Sequence, residues 1–327
     1  MTMRRVLGFL MPALGLGIFA LIVQRTGAAR IGAILSELDP WQLLWAPPII
    51  LAIGLSRGLR WRYVMRCVGI DTTLRRSTTV WIVGFFASAV TPAKAGDAIR
   101  AVYISQDTGR PMGETLLTVF VDRLWDLGFV MVAGIVSAVV FSQRYIAIPS
   151  VPLLVAGVLA IVLAVVMMTR RGAMRFLLKP IFLVLVPSRH REGLSANFHT
   201  FYDAMRVYAA DPRRSVVMAG YTLLCWALIF LLAVYVSRLL QLPVDPRYVV
   251  LIMPIVTLVE LIPFSISGLG TRDATVIYFF AAVGVGSAEA VGFSIAYLLI
   301  GTYLTALLGL VLWLRSPIRG VPAATSQ

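Results

Sequence analysis

Charge, histidine and cysteine are all scarce in this sequence. Only 13% of its 327 residues are charged, 15 of them acidic, and it has two histidines and two cysteines. A soluble domain carries roughly 25% charged residues, so the chain lacks the polar side chains that a water-facing surface needs. Neither Cys67 and Cys225 nor His190 and His199 have the spacing of metal ligands, so we expect no disulfide framework, metal site or cofactor.

The sequence is instead rich in apolar residues, at 59% of the chain, and its mean hydropathy is +0.89. So much apolar surface can be buried only if lipid is the solvent. Runs of about 20 apolar residues are long enough to cross the hydrocarbon core of a bilayer. The spanning helices predicted on this basis cover residues 6–24, 41–60, 115–141, 145–169, 215–237 and 290–314.

Basic residues give the chain a net charge of +14, which would suit nucleic acid if they lay in a soluble domain. They cluster instead at the ends of apolar runs, as in membrane proteins with basic cytoplasmic loops, so we expect no nucleic-acid partner. The basic stretches 57–76 and 170–214, together with both termini, are predicted to be cytoplasmic. The expected location is the cell (inner) membrane of a bacterial-type cell, with several passes.

Three shorter apolar segments, 77–91, 248–264 and 274–286, adjoin Pro/Gly-rich breaks. A full crossing by 77–91 would place the basic stretch 170–214 outside, so this segment is predicted to enter from the cytoplasm and return. Segments 248–264 and 274–286 together can make no net crossing, so they are predicted to form a hairpin that enters from outside and returns. The predicted fold is all-α: a polytopic bundle of about six spanning helices and two opposed re-entrant hairpins that form an inverted repeat.

A single transmembrane domain over residues 1–327 is expected, because no stretch has the composition of a soluble domain. Within it, residues 170–214 are predicted to form amphipathic helices at the cytoplasmic interface. Helical periodicity groups aromatic and apolar side chains of the second of these helices on one face. They are Phe198, Phe201, Tyr202, Met205 and Tyr208.

The Pro/Gly breaks, TPAKAGDAIR at 91–100 and PFSISGLGTRDA at 263–274, are the candidate binding site. Broken backbone in a bilayer is tolerated only where protein buries it or where it lines a wet cavity; the alternative is that these residues only kink helices. A helix that starts beyond a break directs free N–H groups and a positive dipole end at a ligand, which favours an anion, most naturally a phosphate. The predicted substrate-binding residues are Lys94, Gly96, Asp97, Arg100, Gly268, Gly270, Arg272 and Asp273.

Two of these residues are acids placed close to the arginine of their own segment. Asp97 lies one helical turn before Arg100, whereas Asp273 follows Arg272 directly. Each acid could hold its arginine or carry a coupling proton, and simple charge neutralisation explains them equally well. The sequence leaves these interpretations open.

Four charged residues lie in apolar segments outside the breaks: Asp122, Arg123 and Asp126 in one predicted span, and Glu260 just before the second break. A charge within a span costs about 2.5–3.5 kcal/mol on insertion scales, so such residues are expected to face the bundle interior. Arg123 can pair with Asp126 at i,i+3. The four are predicted to form a coupling or structural ion network, with Glu260 as the candidate for a coupled proton.

Three segments together resemble one membrane-protein family: GFFASAVTPAKAGDAIRA at 84–101, DRLWDLG at 122–128 and PFSISGLGTRDA at 263–274. They are similar to the lysylphosphatidylglycerol synthase transmembrane-region family, a flippase-like group of integral membrane proteins. The family's patterns are P-x3-G-E-x2-R, E-R-x2-D and P-x4-G-x-G-x-R-E. Aspartate replaces the family's glutamate, on a shorter arm, at Asp97, Asp122 and Asp273.

This resemblance implies a lipid flippase or transporter, not an enzyme, that moves an anionic or phosphate-bearing headgroup across the cytoplasmic membrane. Its partners would be the bilayer, its lipids and lipid-biosynthesis proteins, and no catalytic residue is expected. Because the chain ends at Gln327, soon after its last helix, we expect a stand-alone member without the aminoacyl-transferase domain of two-domain relatives. The alternatives are an accessory membrane subunit of a lipid or cell-envelope biosynthesis pathway and, less favoured, a membrane-embedded lipid transferase.

Overall fold

The structure, a computed structural model, confirms the predicted all-α class. It describes residues 17–36, 39–91, 96–145, 194–260 and 268–315, and within these ranges the regular structure is helical, without strands. Predicted features that lie outside the described residues are residues 6–16 of the first span, the span 145–169 apart from its first residue, the interfacial segment 170–193, Lys94 with the neighbouring Pro92, and residues 263–267 of the second break.

Thirteen α-helices are found in the part of the chain that the structure describes. In chain order they are α1 (Gly17–Thr26), α2 (Ala28–Ser36), α3 (Pro40–Leu43), α4 (Ala46–Cys67), α5 (Leu74–Ala89), α6 (Ile99–Thr108), α7 (Met112–Arg144), α8 (Leu194–Ala209), α9 (Pro212–Leu239), α10 (Pro246–Glu260), α11 (Thr271–Ala281), α12 (Ser287–Tyr297) and α13 (Leu304–Arg315). A π-helical segment, Leu298–Tyr303, joins the last two.

Among the described residues, four helical stretches are long and apolar enough to cross a membrane. They are Pro40–Cys67, Met112–Arg144, Pro212–Leu239 and Ser287–Arg315. The pair α1 and α2, bent by 81°, makes a fifth if it counts as one span. The predicted count of six spans is therefore not confirmed, although four of the predicted spans have their counterparts here.

The spanning helices carry much of their apolar surface on the outside. Only 22% to 33% of each apolar window is buried within the protein, so most of its side chains face outward. Val136, Leu231 and Leu307 are examples, each at least half exposed. Apolar surface on this scale is expected where lipid replaces water as the solvent.

Packing divides the chain into two compact units. The α5–α6 unit consists of Gly54–Arg123, Glu192–Tyr221 and Leu304–Gln327, and the α10–α11 unit consists of Met1–Ile53, Leu124–Arg191 and Thr222–Tyr303. Each unit has its own apolar core and contains one of the two Pro/Gly breaks. The two Pro/Gly segments therefore lie in different units.

In the α5–α6 unit, the first break forms a helical hairpin. The chain leaves α5 at Ala89 and returns in α6 from Ile99, and α6 packs on α5. Helices of 16 and 10 residues are about 24 and 15 Å long, too short to cross roughly 30 Å of hydrocarbon. Helix α13 packs closely on α5, because Gly309 brings its backbone against the Ile82 carbonyl.

In the α10–α11 unit, the second break has the same construction. Helices α10 and α11 have 15 and 11 residues and pack on each other, one ending at Glu260 and the other beginning at Thr271. Their lengths of about 22 and 16 Å are again too short for a full crossing. The hairpin is held by an apolar core that includes Val249, Ile252 and Phe280. Both hairpins therefore consist of two short helices on either side of a Pro/Gly segment, as the predicted repeat requires.

Helix α8 covers the described part of the predicted interfacial segment. Its Phe201 and Tyr208 side chains are buried, and Phe201 meets the ring of Phe120 edge-on at 5.7 Å. This face of α8 therefore packs at least in part on protein, where the sequence suggested contact with the leaflet.

Candidate functional site

The break between α5 and α6 is closed by one threonine and one glycine. The Thr91 hydroxyl donates to the Ala87 carbonyl at 2.8 Å and accepts from the Gly96 amide at 2.7 Å, so it ties the end of α5 to the start of the returning segment. A Cβ at Gly96 would overlap the Ala87 carbonyl, so only glycine permits this approach. The turn places Asp97 and Arg100 beside the bundle interior.

Arg100, the second residue of α6, is the centre of an ion network, here called the Arg100 cluster. Its Nη2 donates to Asp97 Oδ2 at 2.6 Å and its Nη1 donates to Asp122 Oδ2 at 3.0 Å. Arg60 Nε donates to the other oxygen of Asp122 at 2.8 Å, and Arg123 Nε donates to Asp97. The cluster therefore joins α4, α6 and α7 through charged side chains that hydrocarbon could not accommodate unpaired.

Four of the five side chains in the Arg100 cluster are buried. Arg60 and Arg100 are fully buried, and Asp122 is 1% exposed. The guanidinium of Arg100 lies over the ring of Trp61, with 4.8 Å between Cζ and the ring centroid. Its Nε has no hydrogen-bond partner among the described residues, although a buried donor of this kind costs about 1–3 kcal/mol when unpaired.

The charges of the Arg100 cluster do not cancel. Three arginines (Arg60, Arg100 and Arg123) share two aspartates, which leaves a formal charge of +1 on the five side chains. The start of α6 adds the positive end of a helix dipole. Arg123 is the most accessible of the five, with 37% of its side chain exposed. The arrangement is a buried cationic centre with one arginine at its rim.

Gly84 in α5 makes room for the Arg100 side chain, which leads to a stability prediction. A Cβ there would overlap the Arg100 Cγ and approach Asp97 Oδ1 to 3.3 Å, so Gly84→Ala should lower the free energy of unfolding by about 1–3 kcal/mol through overpacking. Gly220→Ala is the matched control, because no atom lies within 4 Å of its added methyl group. Thermal unfolding in detergent measures both, and equal stability of the two variants would contradict the packing around Arg100.

The second break holds a smaller network, here called the Arg272 cluster. Arg272 is the second residue of α11, as Arg100 is of α6. Its Nη1 lies 3.5 Å from Glu260 Oε1, its Nη2 lies 3.5 Å from Asp273 Oδ1, and its Nε donates to Ser294 Oγ at 2.8 Å. The Ser294 hydroxyl donates in turn to Asp273. One arginine thus faces two acids, for a formal charge of −1.

Two glycines with positive φ shape this second site. Gly270, at φ 85°, precedes α11, and its amide donates to Asp273 Oδ2 at 2.7 Å, so this acid caps the helix as well as facing Arg272. Gly268, at φ 79°, lies against Glu260, whose Oε1 would be 2.9 Å from an added Cβ. Glycine is required at both positions because other residues rarely adopt this backbone conformation.

The predicted site residues therefore fall into two groups. Asp97 and Arg100 meet Asp122 and Arg123, which the sequence had assigned to a separate network. Arg123, expected to pair with its helical neighbour, contacts Asp97. In the other unit, Arg272 and Asp273 meet Glu260, between Gly268 and Gly270. Asp126 also belongs to that unit and accepts from Trp226 Nε1 at 3.3 Å.

Sequence reasoning missed Arg60, Trp61 and Ser294. Arg60 was counted in the basic stretch 57–76 that was predicted to be cytoplasmic, but α4 continues to Cys67 and buries it. The signal was present in the helical spacing of Arg57 and Arg60, three residues apart and both buried. No comparable pattern marks Ser294, because a lone serine in an apolar helix is common.

Helical spans with outward apolar surface, and buried ion networks at helix breaks, define a multi-pass integral membrane protein. The chain belongs to the family described as the lysylphosphatidylglycerol synthase transmembrane region, which matches residues 8–309.

Two relatives carry the same general description. A UPF0104 membrane protein of Methanothermobacter thermautotrophicus is 22% identical over 315 residues, covering 92% of this chain and 93% of that protein. A second UPF0104 membrane protein, from Methanocaldococcus jannaschii, is 24% identical over 107 residues, or 32% of each chain. The glycosyltransferase AglD of Haloferax volcanii is 26% identical over 134 residues, which is 41% of this chain and 21% of AglD.

Proposed function

We propose that the chain moves a lipid with a phosphate-bearing or otherwise anionic headgroup across the membrane, and that the headgroup contacts the Arg100 cluster. The observation that carries the proposal is the unequal charge of that cluster, with three arginines against two aspartates and Arg123 at its rim. An anion entering there would meet three guanidinium groups that share two carboxylates, held in a place of low dielectric constant. Arginine also suits phosphate better than lysine does, because its planar fork can donate two parallel hydrogen bonds.

Transport by this site would avoid the main obstacle to lipid movement. Bringing an unpaired charge into hydrocarbon costs tens of kcal/mol in the Born limit. Each short hairpin interrupts apolar helices with a polar break, which would give a headgroup polar contacts while its acyl chains stay in lipid. We propose the cytoplasmic membrane as the location, with both termini in the cytoplasm, because basic residues cluster near the helix ends concerned. An externally accessible terminal tag on intact cells would contradict that orientation.

Substitution of Arg123 tests the headgroup contact. In vesicles containing the purified chain and fluorescent NBD-labelled phosphatidylglycerol, dithionite bleaching measures movement between leaflets. Arg123→Gln should slow this movement at least tenfold, because the half-buried guanidinium at the rim is lost while the buried pairs of Arg100 remain. Arg123→Lys should have an intermediate rate, since it keeps the charge without the fork.

Arg66→Gln is the control for this test, because Arg66 is an exposed arginine in the last turn of α4. It should move the labelled lipid at the rate of the unaltered chain. If Arg123→Gln and Arg66→Gln were equally active, the assignment of the headgroup contact would be wrong. If the unaltered chain moved no lipid of any headgroup class, the translocation proposal itself would fail.

The similarity to AglD favours a second candidate, a role in transferring sugar to a lipid. The match covers 21% of AglD, so that protein's activity does not pass to this chain by resemblance alone. Incubation of the purified chain with a labelled nucleotide sugar and a lipid phosphate would test it. Formation of a glycosylated lipid would favour catalysis over transport.

A further inference from the structure

A second basic site lies at the open end of the α5–α6 hairpin, away from the Arg100 cluster. A cavity of about 390 Å³ separates the first turn of α5 from the last turn of α13, and its lining is Thr73, Arg75, Arg76, Thr79, Leu312 and Arg315. Arg76 precedes Gly84, which contacts Arg100, by eight residues, so the two sites are about 12 Å apart along α5.

The charge in this cavity is largely uncompensated. Arg76 is held by Asp107, with Nε to Oδ2 at 2.6 Å and Nη2 to Oδ1 at 2.9 Å. The side chains of Arg75 and Arg315 form no hydrogen bond or ion pair with any other described residue. Three arginines beside one aspartate leave a formal charge of +2, and the start of α5 adds its dipole. The cavity is therefore suited to an anion.

The two helices that form the cavity pack closely on each other, so the backbone that carries the arginines is held in place. An added Cβ at Gly309 of α13 would lie 2.5 Å from the Ile82 carbonyl oxygen of α5. One turn further along, Trp313 meets the ring of Phe86 at 5.8 Å. The cavity is thus formed between two helices that pack on each other.

Apolar surface adjoins the basic cavity on α13. Leu314 is 68% exposed and Trp313 is 36% exposed, directly before Arg315 at the end of a candidate span. Cations at the end of a span, next to exposed apolar and aromatic residues, match the headgroup and acyl-chain regions of one lipid molecule. This combination favours a phospholipid over a free anion, which would need no apolar surface.

We propose that this cavity binds the headgroup of an anionic phospholipid from the surrounding leaflet, with the acyl chains against Trp313 and Leu314. The site is separate from the headgroup contact at Arg123 and is a fixed lipid-binding site at the interface. It requires neither translocation nor the integrity of the Arg100 cluster.

Native mass spectrometry of the detergent-solubilised chain, with phosphatidylglycerol and phosphatidylcholine added at equal concentrations, tests this proposal. The unaltered chain should retain phosphatidylglycerol in preference. Arg75→Gln with Arg315→Gln should reduce that preference by roughly 30-fold, since each basic residue near an anionic lipid contributes about a factor of five. Arg75→Lys with Arg315→Lys should keep most of it.

The matched control is Arg66→Gln with Arg144→Gln, which removes the same charge from two exposed positions in the last turns of α4 and α7. Equal preference in this control and in the Arg75/Arg315 glutamine variant would overturn the proposal. So would displacement of phosphatidylglycerol by inorganic phosphate at equal concentration, because the cavity would then recognise phosphate without its lipid. Unchanged lipid movement in the glutamine variant would support the separation of the two sites, whereas a loss as large as that of Arg123→Gln would contradict it.

Discussion

Replacing Arg100 with alanine should destabilise the chain more than any other single substitution in the α5–α6 unit. Arg100 is fully buried and joins Asp97 to Asp122. Its removal leaves two carboxylates in a buried site, one with Arg123 and the other with Arg60 as its remaining cation. Breaking a buried ion pair in this way costs about 3–5 kcal/mol. Thermal or chemical unfolding in detergent would measure the loss.

A charge-balanced variant separates stability from function at this site. Arg100→Met with Asp97→Asn removes one charge of each sign, so the cluster keeps its formal charge of +1 and the pair of Arg60 with Asp122 remains intact. We expect this double variant to regain most of the stability lost by Arg100→Ala. It should still move labelled phosphatidylglycerol at least tenfold more slowly than the unaltered chain, because Asp97 no longer aligns Arg123.

Two outcomes would contradict this account of the Arg100 cluster. Stability of Arg100→Ala within about 1 kcal/mol of the unaltered chain would mean that the ion pairs are not buried as described, since exposed pairs contribute only that much. Normal lipid movement by the stable double variant would show that the cluster braces the hairpin without contacting the headgroup.

Replacing Arg272 with methionine should have the second large effect, in the α10–α11 unit. The arginine is 2% exposed and lies 3.5 Å from both Glu260 and Asp273, so its loss changes the formal charge of the site from −1 to −2. Asp273 would still accept from the Gly270 amide and from Ser294, which limits the damage at the start of α11. We expect a loss of about 3–5 kcal/mol in the free energy of unfolding.

Glu260→Gln added to this variant should recover part of that loss, because it restores the formal charge of −1. On its own, Glu260→Gln tests whether this residue carries a coupling proton. Its side chain is 21% exposed, whereas Asp273 is fully buried, so Glu260 is the acid that water can reach. If it couples a proton to transport, the single variant should fold normally and lose any dependence of lipid movement on an imposed pH gradient.

The two predictions on the Arg272 cluster can fail separately, and each failure has its own meaning. No recovery in the Arg272→Met/Glu260→Gln variant would mean that Arg272 acts mainly through Asp273 and Ser294. A Glu260→Gln variant that still responded to the pH gradient would leave Glu260 a purely structural partner of Arg272. Each outcome is read from unfolding and from lipid movement in the same preparations.

The helical class and the two hairpins could be predicted from the sequence because they depend on local properties. Length and apolar composition limit which segments can span hydrocarbon, and Pro92, Gly96, Pro263, Gly268 and Gly270 interrupt them. Charge counting required the short segments to return to the side they entered, and helices α5, α6, α10 and α11 are indeed too short to cross. The predicted number of spans is not confirmed, because it depends in part on residues 146–193, which lie outside the described part of the chain.

The pairing of charges could not be predicted in the same way. The pair of Arg123 with Asp126, one turn away, stays a prediction, whereas the contact of Arg123 with Asp97, on the other side of the first break, was not predicted. Arg60, 62 residues before Asp122, was counted in the basic stretch that was predicted to be cytoplasmic. Pairing over such separations depends on which helices pack together, and this cannot be predicted from local spacing in the sequence.

By itself, the sequence determined that this is a multi-pass helical membrane protein with two polar breaks, each followed by an arginine near the start of a helix. It did so because unpaired backbone groups and unpaired charges are energetically costly in hydrocarbon, which restricts the segments that can lie there. Only the tertiary structure decided which acids pair with Arg100 and Arg272, and so placed three arginines with two aspartates in one cluster and one arginine with two acids in the other. The reason is that buried charges must find partners across the packed helices, and the packing alone sets which are within reach.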